Sequence, residues 1–184
     1  MTKNVVSRVL HDAGLAAWFG GTLANAVALN AAAGQAGDAR SAGLVTNTGW
    51  NAWTPVNAAA IGAHLVGSVG QLAGNRSRLA VQQGVGSMAV VKTLLTAAAL
   101  GVTAYSRVLG KKVTQQPDVP VESGTEPTSS TPSEVAAAQR QLKALQWAIP
   151  ALTGALVVVS AFAGEQQRPE PVQEGIVNRL MHRG

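Results

Sequence analysis

Four stretches of this chain carry no charged side chain. None stands between Asp12 and Asp38, none between Arg40 and Arg76, none from Thr93 to Ser106, and none from Ala144 to Gly164. Uncharged, mostly apolar runs of about 18 residues or more cross membranes as helices, because a helix satisfies its own backbone N–H and C=O groups without water. The runs predict an all-α, polytopic membrane protein: a four-transmembrane-helix bundle with a flexible loop between helices 3 and 4. The expected spans are about 11–33, 53–74, 85–106 and 144–163.

Charge usage agrees. Charged residues make up 12% of the chain, where a soluble domain carries about 25%. The net charge of +5 does not point to nucleic acid, because no dense basic patch is interleaved with aromatics. Lys and Arg instead flank the neutral runs, where they set topology and meet anionic lipid. The absence of cysteine excludes disulfides, zinc–thiolate sites and cysteine nucleophiles. The first run is longer than a secretory core and contains Asn25, so it reads as a retained span rather than a cleaved leader.

The chain divides into 1–113, three membrane helices with short loops; 114–134, a flexible loop; 135–164, a lead-in helix and the fourth span; and 165–184, a tail. Residues 114–134, TQQPDVPVESGTEPTSSTPSE, are rich in Pro, Ser, Thr and acids and predict a solvated segment. The tail ends in GIVNRLMHRG, the pattern of a short amphipathic surface helix. Trp50, Trp53, Tyr105 and Trp147 stand at span edges, where an aromatic ring meets the headgroups. The short connection NRSRLAVQQ predicts a tight antiparallel hairpin of spans two and three. Lys3 and Arg8 before the first span, against Arg40 after it, favour cytoplasmic N- and C-termini in a bacterial inner membrane.

Polar residues inside the runs are patterned. At about 100° per residue, Asn57, His64, Ser68 and Gln71 fall within roughly 60° of one helix face. Beside them runs a ridge of small residues, Ala60, Ala63, Gly67, Gly70 and Gly74, which allows close helix packing. Span one repeats the spacing with His11, Trp18, Thr22 and Asn25. Span three places Lys92, Thr96, Thr103 and Ser106 on one face, and span four Gln146, Thr153 and Ser160. Unsatisfied polar groups in hydrocarbon cost several kcal/mol, so these stripes predict a polar seam turned inward or toward a partner. The candidate partner- or ligand-binding residues are Asn25, His64, Ser68, Lys92, Thr96 and Thr153. Ser and Thr have an alternative, since they can bond their own helix carbonyls; Asn25, His64 and Lys92 do not.

Lys92 lies about 10 Å into its span, and no Asp or Glu lies inside any span to neutralise it, Asp12 standing at an edge. It can snorkel, lose its proton, meet an anionic headgroup, or pair with a carboxylate on another subunit. The expected function is therefore a non-enzymatic accessory or assembly subunit of a larger membrane complex. Its partners would be membrane lipid and other membrane-protein subunits or itself, with no nucleic acid, metal or cofactor. A small transporter or channel with a midplane polar site is the second reading. Haem ligation by His11 and His64 is the third; their expected depths differ by about 10 Å, which argues against it.

The segment HDAGLAAWFGG, residues 11–21, resembles the first helix of uncharacterised bacterial multi-span proteins, including copper-resistance-D-like ones, in which His precedes a Trp-x-Gly-Gly turn. The resemblance implies an integral membrane protein. The lack of Cys and the three Met speak against a copper role.

Overall fold

A computed structural model describes residues 2–76, 84–116 and 119–165. The tail expected to form a surface helix lies outside the described residues. Helix α1 spans Thr2–Ala24. It continues through a π-helical turn, Asn25–Leu29, into the short α2, Asn30–Ala33. Then follow α3, Ala39–Gly74, and α4, Val85–Thr114. A small hairpin of β1, Val121–Ser123, and β2, Glu126–Pro127, precedes α5, Ser133–Glu165.

The described residues are helical apart from that hairpin and the connections, and among them three helical segments are long and apolar enough to cross a membrane: Val5–Ala33, Val85–Thr114 and Ser133–Glu165. Helix α3 is long enough but less apolar, because Asn57, His64, Ser68 and Gln71 interrupt it.

Helix α3 begins well before the expected residue 53. Gly37 turns the chain with φ +84°, and Asp38 then caps the helix in extended backbone. Its Oδ1 accepts from the N–H groups of Arg40 (3.0 Å) and Ser41 (2.9 Å), while its Oδ2 accepts from the Ser41 hydroxyl (2.6 Å). Such a cap satisfies donors that otherwise have no helical partner. Gly43, which reads as loop in the sequence, is buried inside the helix, where a Cβ would lie 3.2 Å from Val121 Cγ2.

The close helix pairs are α1 with α3 and α4 with α5, and α1 joins the pairs by packing on α5. This corrects the expected tight hairpin of spans two and three. The cause is side-chain size. On α1, Ser7, Gly14 and Gly21 recur every seventh residue and meet Gly67, Gly70, Ala60 and Trp53 of α3. A Cβ on Gly14 would lie 2.5 Å from both the Ala60 carbonyl and the His64 nitrogen. Gly86, Gly101 and Gly110 of α4 have nothing within 4 Å of that position. So α3 and α4 face each other across two cavities instead. One residue from each long helix, Trp18, Ala60, Ala99 and Ile149, forms the central knot of the bundle.

Residues 119–132 also differ from the patternless, solvated segment expected there. The two strands pair antiparallel, Val121 is buried, and Thr125 and Thr131 are nearly so. The Thr131 hydroxyl donates to the Pro120 carbonyl (2.7 Å) and accepts from the Thr128 N–H (2.9 Å). Gly124 packs against Thr46 and Asn30, and Glu126 pairs with Lys143 of α5 (2.5 Å). The hydroxyls that suggested solvation close local turns instead.

Candidate functional site

The site is built on the α1/α3 contact. With glycine in the facing positions, the two backbones approach until Gly67 meets the backbone of His11 and Gly14 meets that of His64. The histidines are thereby brought together. Their ring centroids are 4.5 Å apart with the planes tilted by 46°, and Trp18 stands edge-on to His64 at 6.1 Å. His11, His64 and Trp18 are all fully buried. His11 Nδ1 bonds Asp12 Oδ1 at 2.7 Å, which fixes the ring, while its Nε2 has no partner among the described residues. His64 reaches the His11 carbonyl through Nδ1 and Thr96 Oγ1 through Nε2, both at 3.4 Å.

The expected depth difference between the two histidines is thus corrected: they stack. The expected depths place His11 at the edge of the first span and measure His64 from residue 74, whereas α1 begins at Thr2 and its antiparallel register against α3 decides which residues meet. Stacking disfavours haem for a different reason. Bis-histidine ligation needs one imidazole on each face of a porphyrin, and two rings in mutual contact leave no slot for the macrocycle. Among the described residues no group of three or more His, Cys, Asp or Glu side chains is placed to hold a metal ion.

Of the seam residues, His64 and Thr96 meet, and the Ser68 hydroxyl donates to the His64 carbonyl at 2.7 Å. Thr153 is fully buried, with its hydroxyl given to the Ile149 carbonyl at 2.8 Å. Thr22 and Ser106 bond their own helices in the same way. The hydroxyls of Ser68, Thr22, Ser106 and Thr153 therefore satisfy themselves, whereas those of Thr103 and Ser160 are buried without a partner among the described residues. Asn25 is not brought to His64. It lies in the π-helical turn, about 20 Å along the helix from His11, and its buried Nδ2 has no partner among the described residues.

Lys92 is half-buried, one turn of α4 before Thr96. It lines two cavities. One, of about 340 Å³ between α3 and α4, is walled by Leu65, Val69, Leu72 and Met88. The other, of about 350 Å³, also touches Arg8, His11, Asp12, Gln71 and Ser160. Of the small-residue ridge, Ala60, Gly67 and Gly70 meet α1, Ala63 is half-buried and Gly74 is exposed. The ridge is largely consumed inside the molecule.

A third cavity, of about 330 Å³, lies between the other halves of α3 and α4 and includes Trp53, Asn57 and Thr103. Near it Asn30 accepts from the Trp50 indole (3.1 Å) and donates to Gln146, tying α2, α3 and α5 together. Trp50 and Trp53 turn partly inward, whereas Tyr105 and Trp147 are exposed as an interfacial belt requires. Residue spacing alone did not single out this cavity or the Ser7–Gly14–Gly21 face. The seven-residue recurrence of small side chains on α1 was the available signal for the latter.

No protein-family model matches the chain, and no curated protein and no solved structure matches it either.

Proposed function

We propose that this chain is a non-enzymatic, four-span integral protein of a bacterial inner membrane, with cytoplasmic termini, serving as an accessory or assembly subunit of a larger membrane complex. Helix α3 crosses as the fourth span. Helix α1 covers its His64, Asn57, Ser68 and Gln71 line the cavities toward α4, and Val56 and Val66 stay exposed.

One observation carries the subunit reading. The apolar stretch of α4 is the barest of the three candidate spans, only 6% buried within the molecule, yet it bears Lys92 facing a cavity. A cation about 10 Å into hydrocarbon calls for compensation. The groove beside it has apolar walls of the kind that accept a helix. The reading commits to a partner transmembrane helix carrying a carboxylate opposite Lys92, with bilayer lipid around the remaining face.

Gentle-detergent purification tests it. Lys92→Glu should release a co-purifying membrane subunit while leaving the thermal midpoint of the isolated chain unchanged. Exchanging the partner's intramembrane carboxylate for lysine should restore the complex. Unchanged complex yield in Lys92→Glu would refute the pairing. The transporter reading is favoured by the cavities on both sides of the Trp18–Ala60–Ala99–Ile149 knot, and it requires that knot to part during transport.

A further inference from the structure

The 330 Å³ cavity between α3 and α4 is polarised along its length. One end is lined by Asn47 and Asn51 of α3 and Arg107 of α4, the other by Ile61 of α3 and Leu100 of α4. Asn51 and Ile61 stand about 15 Å apart along their helix, and the apolar end abuts Ala60 and Ala99 of the central knot. The donors at the charged end are accessible and largely unused. Arg107 is half-buried and gives one guanidinium N–H, from Nη1, to Asn51 Oδ1 at 3.1 Å. Its Nε and Nη2 are not buried and have no partner among the described residues. Asn51 is exposed, and the same bond uses its oxygen and leaves its Nδ2 free. Asn47 is half-buried, keeps its amide accessible and bonds no described residue. No Asp or Glu lines the cavity, and among the described residues no carboxylate pairs with Arg107. A cation with spare donors at one end of a cavity, and apolar wall at the other, has the polarity of an amphiphile's site.

We propose that this cavity binds an anionic amphiphile, a singly charged oxyanion carried on an alkyl chain. The Nε and Nη2 edge of the guanidinium presents two parallel N–H groups, which match two oxygens of a phosphodiester or a carboxylate. The amides of Asn47 and Asn51 add donors to the same oxyanion, and Asn47 Oδ1 accepts from a headgroup hydroxyl. One guanidinium balances one negative charge. With no acid on the wall to hold an ammonium, the match is to a net-anionic headgroup and not to a zwitterionic one. The alkyl chain lies against Ile61, Leu100 and Ala104. Tyr105, exposed two residues before Arg107, puts the charged end at headgroup level, and basic pockets between membrane helices hold anionic headgroups in this way. The inference rests on the membrane reading and is independent of the subunit reading, because Lys92 lines other cavities.

Two sources supply this chemistry, an anionic phospholipid and a free fatty acid. Native mass spectrometry of the full chain in detergent separates them with three probes: phosphatidylglycerol, phosphatidylethanolamine of the same acyl chains, and oleate. The expected result is one retained phosphatidylglycerol per chain, with phosphatidylethanolamine held about tenfold more weakly. Retention of oleate alone would uphold the oxyanion site and name the fatty acid as its source. Arg107→Gln should weaken retention about tenfold. Asn47→Ala should weaken it as well, although Asn47 takes no part in the bond that bridges the helices, a loss that a merely bridging Arg107 would not produce. Thermal midpoints report whether each variant is folded. Lys92→Glu should leave retention unchanged, so failure of the subunit reading is separate from failure here. A chain that stays monodisperse without detergent, and still holds oleate through Arg107, would overturn the membrane reading alone. Retention of no probe, binding of both phospholipids equally, or wild-type retention in folded Arg107→Gln would overturn the proposal and leave Arg107 as a bridge between α3 and α4.

Discussion

His11 and His64 face each other reciprocally across the α1/α3 interface. His11 lies over Gly67, His64 lies over Gly14, and the two rings meet between them with centroids 4.5 Å apart. The backbone of each histidine thus occupies the space that the facing glycine leaves open. The pairing is a product of backbone proximity, and the glycines are as necessary to it as the histidines.

Filling one of those spaces should therefore separate the helices. Gly67→Leu places side-chain atoms against the His11 backbone and the Ser7 carbonyl, and should cost about 3 kcal/mol. Gly62→Leu, on the same helix with nothing within 4 Å, should change stability by less than about 0.5 kcal/mol. Thermal unfolding of both variants in detergent checks the contrast. Equal stability would show that the close α1/α3 approach is not required.

The ring contact also makes a spectroscopic prediction. Haemin titrated into the purified protein should give no bis-imidazole Soret or α band, because the histidines are already against one another. Appearance of such a spectrum, lost in His64→Ala, would show that α1 and α3 move apart to admit a macrocycle.

The cap at the start of α3 is pH-dependent. The bond from the Ser41 hydroxyl, followed by those from the Ser41 and Arg40 N–H groups, holds the Asp38 carboxyl below its usual range. A carboxyl whose folded-state pKa is depressed favours the folded helix above its ordinary pKa, and that contribution is lost as pH falls through the depressed value. Amide exchange at Arg40 and Ser41 should therefore be slowed by the cap at neutral pH and released in acid. Asp38→Ala should show the released behaviour throughout. Exchange in the wild type that does not respond to acid beyond the intrinsic rate would count against the cap.

The hairpin should behave as folded structure. Val121 is only 3% exposed and packs on Gly43 of α3. Its burial is worth about 1.5–3 kcal/mol, so Val121→Asp should detach residues 119–132 and open them to proteolysis. Protease digestion in detergent, followed by mass mapping, reads this directly; equally rapid cleavage of the wild type in this segment would refute it.

How far these features could be read from the chain depends on what carried the information. Charge-free runs located all four long helices, because each run is long and its apolar residues are uninterrupted by charge. Helical periodicity placed His64 beside Ser68 and aligned Ala60, Gly67 and Gly70. Neither property specifies which helix will face a given stripe. The meeting of His11 with His64 rests on an antiparallel register shared by two segments, and periodicity within one segment is silent about it. The early start of α3 was hidden because Gly43 reads as a loop residue, whereas it serves close packing against Val121. The hairpin was hidden because Thr and Ser have the same composition whether they face water or, like Thr131, close a turn. Trp53, Asn57 and Thr103 stand out singly in the sequence, at a span edge and in two polar stripes, but only two helices held apart bring them to one cavity.

The division into two tight pairs, α1 with α3 and α4 with α5, has a consequence for biogenesis. Each pair consists of helices that leave the ribosome consecutively, so each can insert and zip together as a unit before the other is made. Docking of α1 on α5 is then the late event that completes the molecule. A gene cut between Asn75 and Gly84 would leave each fragment with a whole pair, and two such fragments produced separately in one cell should find each other and regenerate the native protein.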